Sequence, residues 1–530
     1  MNYDICIIGS GAGAGPIAFE LAKFGKRVVV LEKGSYYKRG DFSKDEIAYT
    51  RRSIVTPNLK DEYHVIEENL DGQWISTPTN ISLWDFWNGN IVGGASNFMS
   101  GFFHRLKPFD LKLRSTFGDI DGANISDWPI EWEELLPFYE KVDKIIGVTT
   151  TTKEHPISKL FDKTANKMGI NSCITPRAIL SENKGKRDGC YYSNYCGSYG
   201  CSSGAKGSSR EALLNPAIDT GNLTILPNSF VYKLDSDKYN IKKALYVDKT
   251  TGLKKEIKAD IFVVASQAVE SCRLLLNSFN NFHPNGLGNS YNQLGKNLLF
   301  SGGGVVSGEF YGSNDLPLEK LLVEGLFVNR SLKDWYKIDK KRKGGVIEVL
   351  FEHANPIRKA NINKYSDDGR LLWGDELYKK LKFKFYKSKR LNFEIFNDWL
   401  PNDNCFVSID KKYKDVYGVP VAKIRVGSHP QNEIVGNYLA KKSYNFLQKM
   451  GAKEINVDIS PYPPQNLQAG GCRFGNDPRS SVLDKNCRSW DIQNLFVTDG
   501  SFMPTGGSVP YTYTIYANSF RVAEYIKTFI

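Results

Sequence analysis

Glycines where a strand must turn, and a carboxylate where the next strand ends, can together hold a nucleotide. The apolar run Asp4-Ile5-Cys6-Ile7-Ile8 leads into Gly9-Ser10-Gly11-Ala12-Gly13-Ala14-Gly15, and a second apolar run, Val28-Val29-Val30-Leu31, closes on Glu32 and Lys33. Glycine permits the sharp turn and lets backbone approach a pyrophosphate. Ala14 is a permitted small third residue, and the helix that opens there offers free N–H groups to the anion. Glu32, about twenty residues on, can accept ribose hydroxyls and would repel a 2′-phosphate. Gly9, Gly11, Ala12, Ala14, Glu32 and Lys33 are therefore the first expected cofactor residues.

A second concentration of chemistry lies at Cys190, Cys196 and Cys201, three of nine cysteines set among glycines and tyrosines. Close thiols on a loop suit an iron–sulfur cluster, which thiolates hold. They equally suit thiols that only cap and pack a turn before a helix starting near Ser208, and both readings stay open. An odd cysteine count argues for thiols or metal ligands over a disulfide framework.

The elements that position these groups must come from a large chain. At 530 residues it can bury a big core and divide into lobes. With 41% hydrophobic and 13% aromatic residues it has the composition of a globular enzyme. The net charge of +12 and pI near 9.0 come from scattered basic residues without a nucleic-acid motif, so a solvated lysine-rich surface is expected and no nucleic-acid partner. No stretch approaches the ~18 apolar residues of a membrane span. The first strand begins by residue 4, leaving no room for a signal peptide, so a cytoplasmic location is expected.

From Glu32 to about residue 80 the chain is polar and irregular, which reads as an excursion over the nucleotide. There follows Trp87-Asn88-Gly89-Asn90-Ile91-Val92-Gly93-Gly94-Ala95-Ser96-Asn97, where paired small residues before a polar one let backbone pass close to a flat ring and still donate hydrogen bonds. That suits a flavin.

With this motif the chain resembles the glucose-methanol-choline (GMC) family of flavin-dependent oxidoreductases, whose flavin segment has the form Gly-Gly-x-Ser-x-x-Asn; here the Asn comes one residue after Ser96. Further matches run in order. Leu223 to Val231 is similar to the strand whose Val passes the adenine, Ile261 to Ser271 (with Ala265) to the second family signature, Leu287-Gly288-Asn289 and Leu294 to Leu298 to the segments that follow, and Asn494 to Ser501 (with Asp499 and Gly500) to the closing strand and turn. The resemblance implies FAD, with Gly93, Gly94, Ser96, Asn97, Val231, Ala265, Asp499 and Gly500 as binding residues. It also implies a three-iron (3Fe–4S) cluster on the cysteine loop, as in sugar and sugar-acid dehydrogenases of one branch, although relatives carry an extra cysteine where this loop has Tyr and Asn.

The expected fold is α/β: a Rossmann-type FAD lobe discontinuous in sequence (1–110, 206–304 and 465–530) and an α+β substrate lobe with an antiparallel sheet (305–464), with 111–205 carrying substrate-lobe elements and the cysteine loop. Alternation in Gly345 to Glu352 and Cys405 to Asp410 supports the antiparallel sheet.

At the catalytic end the family's pattern is broken. Alcohol oxidation needs a base for the hydroxyl proton as hydride leaves for the flavin, and a partner to orient the alcohol. The family's usual His position falls on Leu467, within Asn466 to Gly475, and the second falls in Ser508 to Tyr513, which has neither His nor Asn. His104 and His429 are the histidines best placed to serve as base, and Tyr511 or Gln468 to bind the alcohol. Trp84, Trp87 and Tyr511 are candidate lining residues for a sugar ring.

The expected activity is FAD-dependent oxidation of an alcohol group of a sugar, glycoside or aminocyclitol, with electrons leaving through a cluster or a soluble acceptor, and with a small partner subunit as a candidate associate. An oxygen-using oxidase of the same family, and a flavoprotein or electron-transfer subunit without catalysis, are the rivals.

Overall fold

The computed structural model of the chain describes residues 3–46, 62–82, 88–197, 199–460, 462 and 466–530. A five-stranded sheet carries the nucleotide motif, in the order Leu495–Val497, Ala259–Val264, Tyr3–Ile8, Val28–Leu31, Leu223–Leu226. All four pairings are parallel, with Ile5 between Val28 and Ile261. Strands covered on both faces need side chains that are apolar throughout rather than alternating, which is why Val28–Leu31 is fully buried. Helix Gly15–Lys23 covers one face and packs on helix Thr512–Ile526, where Phe19 meets Phe520 edge-on at 6.5 Å. The sheet thus gathers segments from both ends and the middle of the chain, the discontinuity expected from the motifs.

A second, six-stranded antiparallel sheet runs in the order Lys453–Ile459, Ser301–Phe310, Lys389–Asp398, Gly345–Phe351, Arg330–Leu332, Ser172–Ile174. Its period-two alternation separates two faces. One face buries Val306, Ile347, Val349, Phe393 and Ile395 in a core shared with Val435, Leu439 and Phe446 of helix Pro430–Met450. The other face presents Val305, Leu350, Asn392, Glu394 and Phe396 to the main cavity.

Three expectations are corrected. The polar stretch before residue 80 contains a hairpin, Val65–Leu70 and Gln73–Pro78, closed by Asp71 (φ 52°) and Gly72 (φ 87°), both left-handed as a tight two-residue hairpin turn requires. Its strands look polar because Glu67 is paired with Lys423 and Arg425. This hairpin joins Cys405–Lys414 and Pro420–Val426 in a separate four-stranded sheet, so the alternation at Cys405 to Asp410 does not belong to the antiparallel sheet over the cavity. The stretch Leu223 to Val231 is also two strands. The chain turns at Pro227 and Asn228 (φ 56°), and Ser229–Ser236 leaves the parallel sheet for an antiparallel meander with Ile241–Asp248 and Lys254–Ile257.

Candidate active site

The carboxyl ends of the parallel strands converge on a continuous cavity of about 540 Å³, the place where open parallel sheets bind ligands. Gly9 follows the first strand at φ 92°, and a Cβ there would lie 2.3 Å from the Ala265 carbonyl oxygen. A Cβ on Gly13 would lie 2.7 Å from Asp499 backbone. Gly11 differs, since a Cβ there would meet nothing within 4 Å and would project into open space. Glycine at 9 and 13 is required by the fold, while at 11 it keeps the cradle clear. Ala12 also lines the cavity, whereas Ala14 is wholly buried in the core beneath it.

Glu32 lines the cavity with its carboxylate accepting from the Ser10 hydroxyl and, at 2.8 Å, from the Gly34 N–H. Burial raises its pKa against those hydrogen bonds. Lys33 reaches the same region as an ion pair with Glu62 at 2.7 Å. Asp499 closes the far side; its carboxylate accepts from Ser271, from Gln267 N–H at 3.1 Å and from Ser501 N–H at 2.9 Å, and Gly500, Ala265 and Val231 line the cavity beside it.

In the flavin motif, Gly94 and Ser96 line the cavity, but Gly93 and Asn97 do not. Gly93 donates to Ser10 Oγ at 2.9 Å, and Asn97 Nδ2 donates to the carbonyls of Val92 and Gly94 at 3.1 and 2.9 Å. Both were expected to bind the cofactor directly; they brace the turn, because Asn97 spends its amide on backbone left unpaired by two left-handed glycines. Asn88 and Asn90 lie on the cavity lining with buried side-chain atoms that have no protein partner. Such orphans are costly unless a ligand satisfies them. The glycine cradle and these unspent amides fit a flavin dinucleotide.

The expected catalytic residues separate. His429 is the N-cap of helix Pro430–Met450: its Nδ1 accepts from Gln431 N–H at 3.1 Å, its Nε2 donates to the Asp121 carbonyl at 2.8 Å, and it does not line the cavity. His104 is buried and also off the lining, with Nε2 hydrogen-bonded to Glu348. Tyr511 lines the cavity with its ring, while its hydroxyl donates to the Phe300 carbonyl. Gln468 lines it too and accepts from Gln267 Nε2. Trp84 and Trp87 lie outside the described residues.

Among the titratable lining residues that were not anticipated are Glu394 and His353. Burial first, then the charge of Glu348, push the Glu394 carboxyl up to about 7. Burial, with Lys206 and Arg177 adding to it, holds His353 down at about 4. The available signal was a polar residue at every second position, Asn392 and Glu394, within the otherwise apolar strand Leu391 to Phe396.

Cys190, Cys196 and Cys201 do come together, packed against Ile179, Leu180 and Ala205. Burial drives Cys190 up to about 12; for Cys201, burial is outweighed by the Lys206 ammonium and by hydrogen bonds from Ser203 and backbone, leaving its pKa lowered. Among the described residues no three His, Cys, Asp or Glu side chains stand so as to hold a metal ion. The expected 3Fe–4S cluster therefore finds no support in this arrangement, and no step below uses one.

Residues 85–300 and 401–519 match the N- and C-terminal family models described as GMC oxidoreductase, together more than half of the chain. The chain is a GMC oxidoreductase. As such it is an FAD-dependent enzyme acting on CH–OH groups. The 2-methyl-1,2-propanediol dehydrogenase of Mycolicibacterium austroafricanum is 27% identical over 99% of this GMC chain and 95% of its own. Paromamine 6'-oxidase of Streptomyces fradiae is 26% identical over 98% and 91%, and the fructose dehydrogenase large subunit of Gluconobacter japonicus 25% over 99% and 98%. Among solved structures, a formate oxidase variant of Aspergillus oryzae RIB40 superposes with a TM-score of 0.67 at 14% identity, covering 99% of this chain and 98% of that one, which bears out the fold. No helix among the described residues is long and apolar enough to cross a membrane.

Proposed function

We propose that this GMC oxidoreductase oxidises a hydroxyl of a polyhydroxylated substrate, a sugar, glycoside or aminocyclitol, to a carbonyl. The observation that carries the reading is the mixed lining of the cavity over the sheet: Asn392, Glu394 and His353 offer polar groups, while Phe396, Leu467 and the Tyr511 ring offer apolar surface. Sugars need both, because their C–H faces stack on apolar surface while their hydroxyls require donors and acceptors. Relatives that act on fructose, on paromamine and on a diol support the same class.

FAD held by the glycine cradle, Glu32 and Asp499 would supply the hydride acceptor. The chain's own part is to orient and to exclude water. Gln267 fixes the Gln468 amide, and Phe300 fixes the Tyr511 ring, so both reach the cavity in set positions. The electron acceptor is proposed to be other than oxygen.

The test is anaerobic mixing of flavin-loaded protein with a panel of sugars, amino sugars, cyclitols and short diols, followed by flavin absorbance. Bleaching by members of the panel is the expected result, and bleaching by none would sink the reading. Reoxidation in air with stoichiometric hydrogen peroxide would instead make the enzyme an oxidase, for which the oxidase relatives speak.

A further inference from the structure

The family's histidine position is Leu467, and the histidines favoured by the sequence are elsewhere, so the hydroxyl proton needs another acceptor. The carboxylates lining the cavity can be taken in turn. Glu32 is held by Ser10 and Gly34 at the nucleotide cradle. Glu270 lies 3.2 Å from His64 and 3.5 Å from Arg273. Asp499 accepts from three donors. Glu394 alone among them has no hydrogen-bond or ion-pair partner among the described residues, and it faces the cavity from the middle of the antiparallel sheet, between Asn392 and Phe396.

Its surroundings set its acidity from every side. On the strand to one side, Glu348 stands directly opposite Glu394 in register. Glu348 is fully buried and is held by His104 and by the Thr175 hydroxyl at 2.9 Å, so its carboxyl group is fixed opposite Glu394. On the other side the register partner is Val305, which carries no charge. Along its own strand the nearest cation, Arg390, donates to Ser307 at 2.8 Å. Across the cavity lining, burial keeps His353 neutral, and Arg358, which also lines the cavity, adds its charge to that effect. A carboxyl with a neighbouring fixed charge and no cation holds its proton until near neutral pH, the range in which a general base works best. Among the described residues His353 is the lining's imidazole, and its low pKa makes it the weaker proton acceptor.

We propose that Glu394 is the proton acceptor for the substrate hydroxyl, with Glu348 as the positioning residue that tunes it. The inference rests on the alcohol-oxidising reading above. In the step, the hydroxyl O–H bond breaks and its proton goes to a Glu394 oxygen. The electron pair left on the substrate oxygen closes the carbonyl as the C–H bond breaks and its hydrogen departs with both electrons as hydride, for which FAD held at the glycine cradle would supply the acceptor. Protonated Glu394 then returns its proton to water.

The test compares flavin-loaded wild type with Glu394→Gln and Glu394→Asp. The first readout needs no turnover: infrared titration of the oxidised, substrate-free protein between about pH 5 and pH 9 should show a carboxyl band with a midpoint near 7 in wild type and none in E394Q. The second is rapid-mixing reduction by an alcohol that bleaches the wild-type flavin. E394Q is expected to slow reduction by about 10²- to 10⁴-fold with flavin content and substrate affinity kept, and to lose the acidic limb of the pH profile. E394D should retain that limb at a reduced rate, which guards against a variant that merely fails to fold. An unchanged infrared band, or E394Q reduction at the wild-type rate, would overturn the proposal alone. Slowing confined to amine-bearing substrates, through weaker binding, would assign the carboxylate to ammonium recognition and also overturn it. A wild-type flavin that no alcohol bleaches would overturn both this proposal and the function it rests on.

Discussion

Glu348 and Glu394 are cross-strand partners on adjacent antiparallel strands, yet the first is held by His104 and Thr175 and the second, among the described residues, by neither cation nor hydrogen bond. Like charges placed directly opposite each other destabilise a sheet, so the pair avoids carrying two charges by letting one carboxyl keep its proton. Glu348→Gln removes the fixed charge. The Glu394 pKa should then fall, and the acidic limb of flavin reduction should move to lower pH, a shift that pH-resolved rapid mixing would read.

His104 holds the Glu348 carboxyl group in place. Replacing it by Phe leaves a fully buried carboxylate with Thr175 as its remaining hydrogen-bond donor, and breaking a buried pair costs about 3 kcal/mol or more. The measured outcome should be a lower midpoint in denaturant with an unchanged slope.

The glycines of the cradle make separable predictions. Gly13→Ala would drive a methyl into Asp499 backbone at 2.7 Å and should destabilise the apoprotein. Gly11→Ala meets nothing within 4 Å in the protein, so the apoprotein should melt as wild type does. Flavin affinity should nevertheless fall by at least about tenfold, or roughly 1.4 kcal/mol, because the methyl occupies cofactor space. Melting curves and flavin titrations on the two variants check both halves.

The nucleotide half of the site was legible because its constraints are local. Strand, turn, helix and acid must follow one another at fixed spacing, and Gly9 to Glu32 does so within one unit. The catalytic half depends on a register between strands that the sequence does not display: nothing near Glu394 says that Glu348 will stand opposite it, or that Leu391 to Phe396 will face a flavin cavity. His429 was misread for a related reason. Ser428-His429-Pro430 is an N-cap followed by a proline at the first helical position, a helix start rather than a base. The hairpin before residue 80 was hidden by Glu67, whose partners Lys423 and Arg425 lie far along the chain.

That cap predicts the behaviour of His429→Ala. Loss of the Gln431 N–H acceptor should cost about 1 kcal/mol, seen as a small fall in melting temperature, while flavin reduction and its pH profile stay as in wild type.

Glu62 gives an acid-side prediction. Burial opposes its ionisation, but Lys33 at 2.7 Å and Lys249 at 3.0 Å outweigh this and bring its pKa to about 2 from an ordinary 4.5. Because the folded value is the lower one, its contribution is fully present above about pH 4.5 and is lost as pH falls toward 2. Glu62→Gln should therefore be less stable than wild type at neutral pH, by up to roughly 3 kcal/mol, and the gap should close across that window. Urea unfolding of both proteins at stepped pH reads the gap directly; a gap that stays constant down to the acid end would mean that the two lysines do not stabilise the folded carboxylate.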